Sequence, residues 1–466
     1  MSSIDPGFRI LSQHSYTRIV FPLQVSKFDL MKLDLDLTAN AWIKWNTPSE
    51  NSQFFDYVES LFPSGNVNKP FHENKNDCLV KTYRLKPLHL MKSAEQVSEW
   101  FHKYWFCRVS KESHEYDQLF FKRKFAFSEF KILMFSTGII FFCIDLVFKP
   151  LTSIIEYKRR FGDIKTFFNE IKIFEVFQEL TSCDIVPTAF DYQYGNNTAR
   201  FIAYHAIQFE VNSEIDFDEI QMIGDWSVNS FSLSLDPEIS DNLGISLFFN
   251  NYVACTQEGF SCISKKCSEN DGLLKNMVNL IDNQYLHKNL FIAYMIGIHQ
   301  YYYYHALQLQ LSQINSIRED EKRLGEIQNL IENYVEFQSN FQFINVSQVH
   351  ALQKAYDYII EENHISECSD EMENSLFPLN LQMTANQDRK RNENDVKRSK
   401  KTQQLETIVK ALTFVTASNA LLSIIISVAR GIADNDKVAY YYSSIIFFSL
   451  AIVALVIIFS CQKNKT

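Results

Sequence analysis

The chain has 466 residues and a net charge of -10, with a mean hydropathy of -0.16, so it has room for two or three domains and lacks the basic balance that a large nucleic-acid footprint needs. Its nine cysteines follow no pairing period, which suits reduced thiols in a cytosolic domain better than a disulfide framework. Only 12 glycines stand against 40 Phe and 22 Tyr, a bias toward aromatic packing and away from glycine-lined phosphate loops. Met1 to Pro6 shows no basic start leading into an apolar core, so no secretory signal is expected.

Along the first half, strand signals fall at Arg18–Val25, Cys78–Leu85, Ile132–Phe148, Phe201–Val211 and Gly244–Cys255. Helix-like stretches intervene, such as Ser93–Tyr104 and Thr152–Leu180. Ile132–Phe148 is apolar for some 17 residues, near the lower limit for a membrane span. Ser136-Thr137-Gly138 at its middle reads as a turn, so the run is expected to be a buried β-hairpin. Residues 1–271 are therefore expected to form a cytoplasmic α+β domain, a mixed sheet covered by helices.

The pattern changes near residue 272. Leu273–Glu362 has no proline, and apolar residues recur at helical spacing (Leu307, Leu311, Ile314, then Leu324, Ile327, Ile331, Tyr334). Residues 272–378 thus read as a long-helix bundle, broken at Asn345-Val346-Ser347 before a helix over Gln348–Glu362 and interrupted by Pro378. From Leu379 nothing breaks a helix until Gly431. Residues 379–407 are read as a stalk helix; the alternative is a disordered basic linker.

Two spans are expected at the end of the chain, 408–429 and 440–461, each about 20 residues, joined by a short loop at 430–439 and followed by a basic tail at 462–466. Arg389, Lys390, Arg391, Lys397, Arg398, Lys400 and Lys401 precede the first span, and Lys463 and Lys465 follow the second. The positive-inside rule then places both ends in the cytoplasm and the loop outside, in an inner membrane.

The first span carries a polar stripe: Thr413, Thr416, Asn419, Ser423 and Ser427 recur every three or four residues, within an arc of roughly 120° on a helical wheel. Such a stripe lines a water-filled pore when copies surround an axis, or bonds across a helix interface. Both readings stay open, and both imply oligomerisation. Carboxylates cluster at Glu214, Asp216, Asp218 and Glu219 and at Glu361, Glu362, Glu367, Asp370, Glu371 and Glu373; they read as solvated loop charges, with a divalent cation the alternative. Cys255, Cys262 and Cys267 lack a close pair or a fourth ligand for zinc. Tyr301–Tyr304 with His299 and His305 read as core and subunit contact. No P-loop, nucleophile elbow, HExxH or dinucleotide fingerprint occurs, so no enzyme is expected.

Phe343-Ile344-Asn345-Val346-Ser347 and Val409-Lys410-Ala411-Leu412-Thr413-Phe414-Val415-Thr416, with the stalk and the two terminal spans, resemble the CorA-type divalent-cation channels over Phe291–Thr466. The resemblance implies a homopentamer in the lipid bilayer, conduction of Mg2+ or another divalent cation, and a pore mouth at Arg430, Asp434, Asn435 and Asp436. Magnesium-transporting members carry Gly-Met-Asn after the pore helix; here Val428-Ala429-Arg430-Gly431-Ile432-Ala433 stands instead. Unless Asp434 and Asp436 offset them, five Arg430 guanidiniums at a mouth repel a hydrated cation, which argues against magnesium uptake. Divergent CorA-like proteins without the motif include effectors of type III CRISPR antiviral defence, which implies gating by a nucleotide messenger. Two alternatives stand beside it: a divalent metal cation (magnesium) transporter, and a membrane-anchored sensor or scaffold without transport.

Overall fold

A computed structural model describes residues 9–10, 15–39, 42–44, 58, 61, 79–85, 125–148, 173–183, 185, 188–189, 201–210, 244–248, 251–256, 259–265, 285–432, 441, 444–449 and 451. The strands are β1 (Arg9–Ile10), β2 (Tyr16–Gln24), β3 (Trp42–Lys44), β4 (Val80–Leu85), β5 (Phe125–Phe135), β6 (Ile139–Phe148), β7 (Thr188–Ala189), β8 (Ile202–Glu210), β9 (Gly244–Phe248), β10 (Asn251–Thr256) and β11 (Gly259–Lys265). The helices are α1 (Lys27–Ala39), α2 (Ile173–Thr181), α3 (Tyr285–Asn315), α4 (Asp320–Phe341), α5 (His350–Glu362) and α6 (Ile365–Ile432). Two compact units divide between Phe377 and Pro378.

In the first unit the strands form one mixed sheet in the order β3-β4-β5-β6-β2-β8-β11-β10-β9, with β1 on β8 and β7 on β2. All described pairings are antiparallel except β8 with β11. A strand covered on both faces needs an apolar run rather than alternation, and β2 has one: Thr17 to Leu23 are all buried. Pairing of β2 with β8 ends at Val20, and β7 takes over at Leu23. Pro22, which has no N–H for a ladder, falls in that gap.

The expected hairpin at Ile132–Phe148 is β5 and β6. Gly138 turns it at φ +92°, where an added Cβ would come within 2.5 Å of the Val25 carbonyl oxygen. That turn also accepts the Val25 N–H at 2.9 Å. The Gly244–Cys255 signal is two strands, β9 and β10, because the chain reverses between Phe248 and Asn251.

Helix α3 supplies much of the core, with Asn289 to Gln300 all buried. Gly297 lets α5 approach closely: a Cβ there would lie 2.7 Å from Ile359 Cγ2. Helix α5 presents Ala351, Leu352, Ala355, Tyr356, Tyr358 and Ile359 as one buried face, the spacing of a helix packed on one side. The break before it falls at 342–349, where Gln353 Oε1 accepts the Val346 and Ser347 N–H groups at 2.8 and 3.2 Å. Tyr302, Tyr303 and Tyr304 are buried, as the core reading of that run expected.

Pro378 does not interrupt the chain as expected. Helix α6 begins at Ile365 and passes through Pro378 to Ile432. A mid-helix proline removes one N–H and crowds the carbonyl four residues back. Pro378 and Asn374 are both exposed, so water can satisfy that carbonyl. Of the earlier assignments, Ser93–Tyr104 and most of Thr152–Leu180 lie outside the described residues; α2 is the described end of the latter.

Candidate functional site

Helix α6 is 68 residues long, about 100 Å at 1.5 Å per residue. Ile365, Met372 and Leu376 are buried near its start, and Tyr304 Oη donates to Ser369 Oγ at 3.0 Å. From residue 387 to 410 every residue is exposed. Without a buried face, this stretch depends on propensity and on pairs one turn apart. Arg389 meets Glu393 at 3.3 Å and Lys410 meets Glu406 at 3.2 Å.

Among the described residues α6 is the one helix long and apolar enough to cross a membrane; an 18-residue window of it has mean hydropathy 1.9 and is 6 % buried. Its apolar portion starts near Ile408. The five stripe residues Thr413, Thr416, Asn419, Ser423 and Ser427 all lie in it and are exposed. Four hydroxyls turn inward on the helix. Thr413 donates to the Val409 carbonyl at 2.8 Å, Thr416 to Leu412 at 2.7 Å, Ser423 to Asn419 at 2.9 Å and Ser427 to Ser423 at 2.8 Å. Such back-bonding uses the hydroxyl proton and leaves oxygen lone pairs facing outward. Asn419 is different: its carboxamide makes no hydrogen bond to the described residues.

Next to the stripe runs a row that the sequence reading missed. Leu405, Ile408, Leu412, Val415, Asn419, Leu422 and Ile426 are spaced alternately by three and four. Helices that pack on like helices carry such a spacing, in which a polar residue can specify partner number and register, and Asn419 falls on it. The signal was present in the spacing; a stripe read for polarity alone concealed it.

Of the expected pore mouth, Arg430 lies in the last turn of α6, and Asp434, Asn435 and Asp436 lie outside the described residues. So does most of the second expected span: only 441, 444–449 and 451 are described, all helical.

In the first unit, ionisable groups are buried in the sheet. Arg18 on β2 forks onto Asp145 of β6 at 2.5 and 2.8 Å, and Lys131 of β5 reaches the same carboxylate at 2.8 Å. Lys131 also meets Glu129 at 2.5 Å. The Arg18 guanidinium lies 3.9 Å from the centre of the Phe291 ring on α3, a cation–π contact in a dry site. Burial pushes the Asp145 carboxyl up, but Arg18 and Lys131 outweigh it and hold it down at about 2. On α1, Asp34 accepts from Lys81 Nζ at 2.6 Å and from the Tyr83 hydroxyl. His299 stacks on Phe135 at 3.9 Å and faces Thr137 at 2.8 Å; burial holds it well below the ordinary histidine range, hence neutral. The carboxylates and cations are matched to one another, the arrangement of a structural network, while His299 Nδ1 has no hydrogen-bond partner among the described residues.

A cavity of about 360 Å³ opens between α1, the Thr137 turn and the α3–α4 pair, lined by Lys27, Asp29, Thr137, Tyr303 and Asn333 among others. Lys27 there is already held by Asn333 at 3.2 Å and Glu336 at 3.4 Å. Among the described residues, no group of three His, Cys, Asp or Glu side chains is placed to hold a metal ion. The acidic run Glu361–Glu373 does not converge, and 214–219 lies outside the described residues, as does Cys267. Cys255 and Cys262 are buried, and the Cys262 thiol donates to Asn251 Oδ1 at 3.4 Å. Comparison with protein-family models, curated proteins and solved structures finds no match to the chain.

Proposed function

We propose that the chain forms a homo-oligomeric membrane pore of CorA-like build. In this reading α6 crosses the bilayer over 408–429, a second helix over 440–461 returns, and both ends lie in the cytoplasm. The single observation behind it is the exposed polar file from Thr413 to Ser427 on an exposed, otherwise apolar stretch. An asparagine facing lipid costs free energy, whereas several copies turned toward a shared axis give it water or one another. The seam from Leu405 to Ile426 supplies the contact that would bring copies together. Five subunits, and gating by a nucleotide messenger held in the cytoplasmic part, follow from the resemblance alone. Arg430 in place of a Gly-Met-Asn motif argues against magnesium as the conducted ion.

The test is ion flux from liposomes reconstituted with the full chain, with and without candidate nucleotide messengers. Flux is expected, reduced at least tenfold by Thr416→Leu or Asn419→Leu. No conductance for any ion under any condition overturns the reading.

One observation favours a second reading, a membrane-anchored sensor or scaffold. Four of the five stripe side chains already spend their protons on their own backbone, so they need neither water nor partner as donors. This reading expects an unrelated anchor in place of 408–461 to preserve function; loss of function on that exchange counts against it.

A further inference from the structure

The charges along α6 are distributed unevenly. Arg389 is tied to Glu393 at 3.3 Å and Arg391 to Asp388 at 4.0 Å. Less than two turns further on come Lys397, Arg398, Lys400 and Lys401, four cations in five residues, all exposed. Among the described residues none of the four makes an ion pair. The acidic group that follows them, Glu406, is occupied by Lys410. Like charges three or four apart on a helix repel by a few tenths of a kcal/mol per pair, and 397–400, 397–401 and 398–401 are three such pairs. An anion supplied from outside the helix removes that penalty.

Position indicates where the anion comes from. Lys401 is seven residues before Ile408 and Lys397 eleven, about 10 and 16 Å along the axis. The polar layer of a bilayer is roughly 5–7 Å deep on each side of the hydrocarbon, and charges interact across about 8 Å at physiological salt. The cluster therefore stands just above the headgroups once the apolar stretch is inserted. We propose that Lys397, Arg398, Lys400 and Lys401 dock on acidic phospholipid headgroups of the leaflet that α6 enters. The proposal rests on the membrane reading of α6 but not on the pore. An extended nucleic acid is the less suitable polyanion, because the patch is four residues long in a chain of net charge -10.

The experiment uses the full chain in vesicles of equal phosphatidylcholine and phosphatidylglycerol. The lipids retained after mild detergent extraction are counted by native mass spectrometry. Phosphatidylglycerol is expected to be retained over phosphatidylcholine by about tenfold, since each cation near an anionic surface contributes several-fold. Changing all four residues to Gln brings the ratio toward one. Changing the lysines to Arg keeps it, and helical circular dichroism stays unchanged in both variants. Equal retention of both lipids by the wild type overturns the proposal, as does a preference that survives the Gln variant. A single-stranded RNA oligonucleotide that displaces the acidic lipid also overturns it. Flotation with pure phosphatidylcholine vesicles separates the two failures: a chain that does not float there fails the membrane reading itself.

Discussion

Replacing Asp145 by Asn removes one charge from a site that holds two cations against it. Arg18 and Lys131 are about 5 % exposed and lose the carboxylate that both of them reach. Breaking a buried pair in this way costs about 3–5 kcal/mol. A second figure follows from the lowered pKa. Holding the carboxyl at about 2 instead of its ordinary 3.8 corresponds to about 2.5 kcal/mol of preference for the ionised form. The lowered folded-state pKa fixes the sign: this stability is complete above pH 4 and is lost as the pH falls toward 2. The assay is urea unfolding of the full chain in mild detergent, followed by tryptophan fluorescence, across pH 2–7. Asp145→Asn is expected to lower stability by about 3 kcal/mol at pH 7, with a shallower acid limb than wild type. Combining it with Arg18→Met is expected to recover part of the loss. A loss below about 1 kcal/mol, or acid limbs that stay parallel, refutes the reasoning.

Two further outcomes concern packing and thiols. Gly297→Ala places a methyl 2.7 Å from Ile359 Cγ2, so α3 and α5 must separate; a loss of about 1–3 kcal/mol is expected in the same assay, and an unchanged midpoint refutes the close crossing. Burial pushes the Cys143 thiol up to about 12 and the Cys255 thiol higher still. Cys368 is only half-buried, so site-resolved mass spectrometry is expected to find it alkylated at least tenfold faster than either. Equal rates contradict the burial.

What the residues announced locally, the structure contains. Ser136-Thr137-Gly138 between two apolar runs is a hairpin turn because glycine alone meets the left-handed φ and the close Val25 carbonyl. The helical spacing read over Leu273–Glu362 is, from Tyr285 on, α3, α4 and α5, and the absence of breakers after Leu379 becomes the far part of α6. Pro378 misled because proline is judged by the bond it removes, and at an exposed site water replaces that bond. Strand β11 passed unnoticed: Gly259, Ser261 and Ser264 dilute its apolar signal. Its burial depends on pairing with β8, more than fifty residues earlier. The Arg18–Asp145 pair was invisible for the same reason, since 127 positions separate its members. Each lies in an apolar run read as a strand, and nothing local to either names the other as its partner. The stripe was legible by polarity, and the seam beside it only by counting threes and fours.

The place of β2 in the sheet has a consequence for biosynthesis. This strand leaves the ribosome before both of its neighbours, β6 on one side and β8 on the other, and β8 is made last of the three. Between the end of β6 at Phe148 and the start of β8 at Ile202 lie more than fifty residues, roughly 3–10 s of translation. For that interval the growing chain presents an apolar strand, buried on both faces in the finished sheet, with one edge unpaired. Nascent chains of this protein therefore pass through a window in which strand capture by a neighbour competes with their own completion.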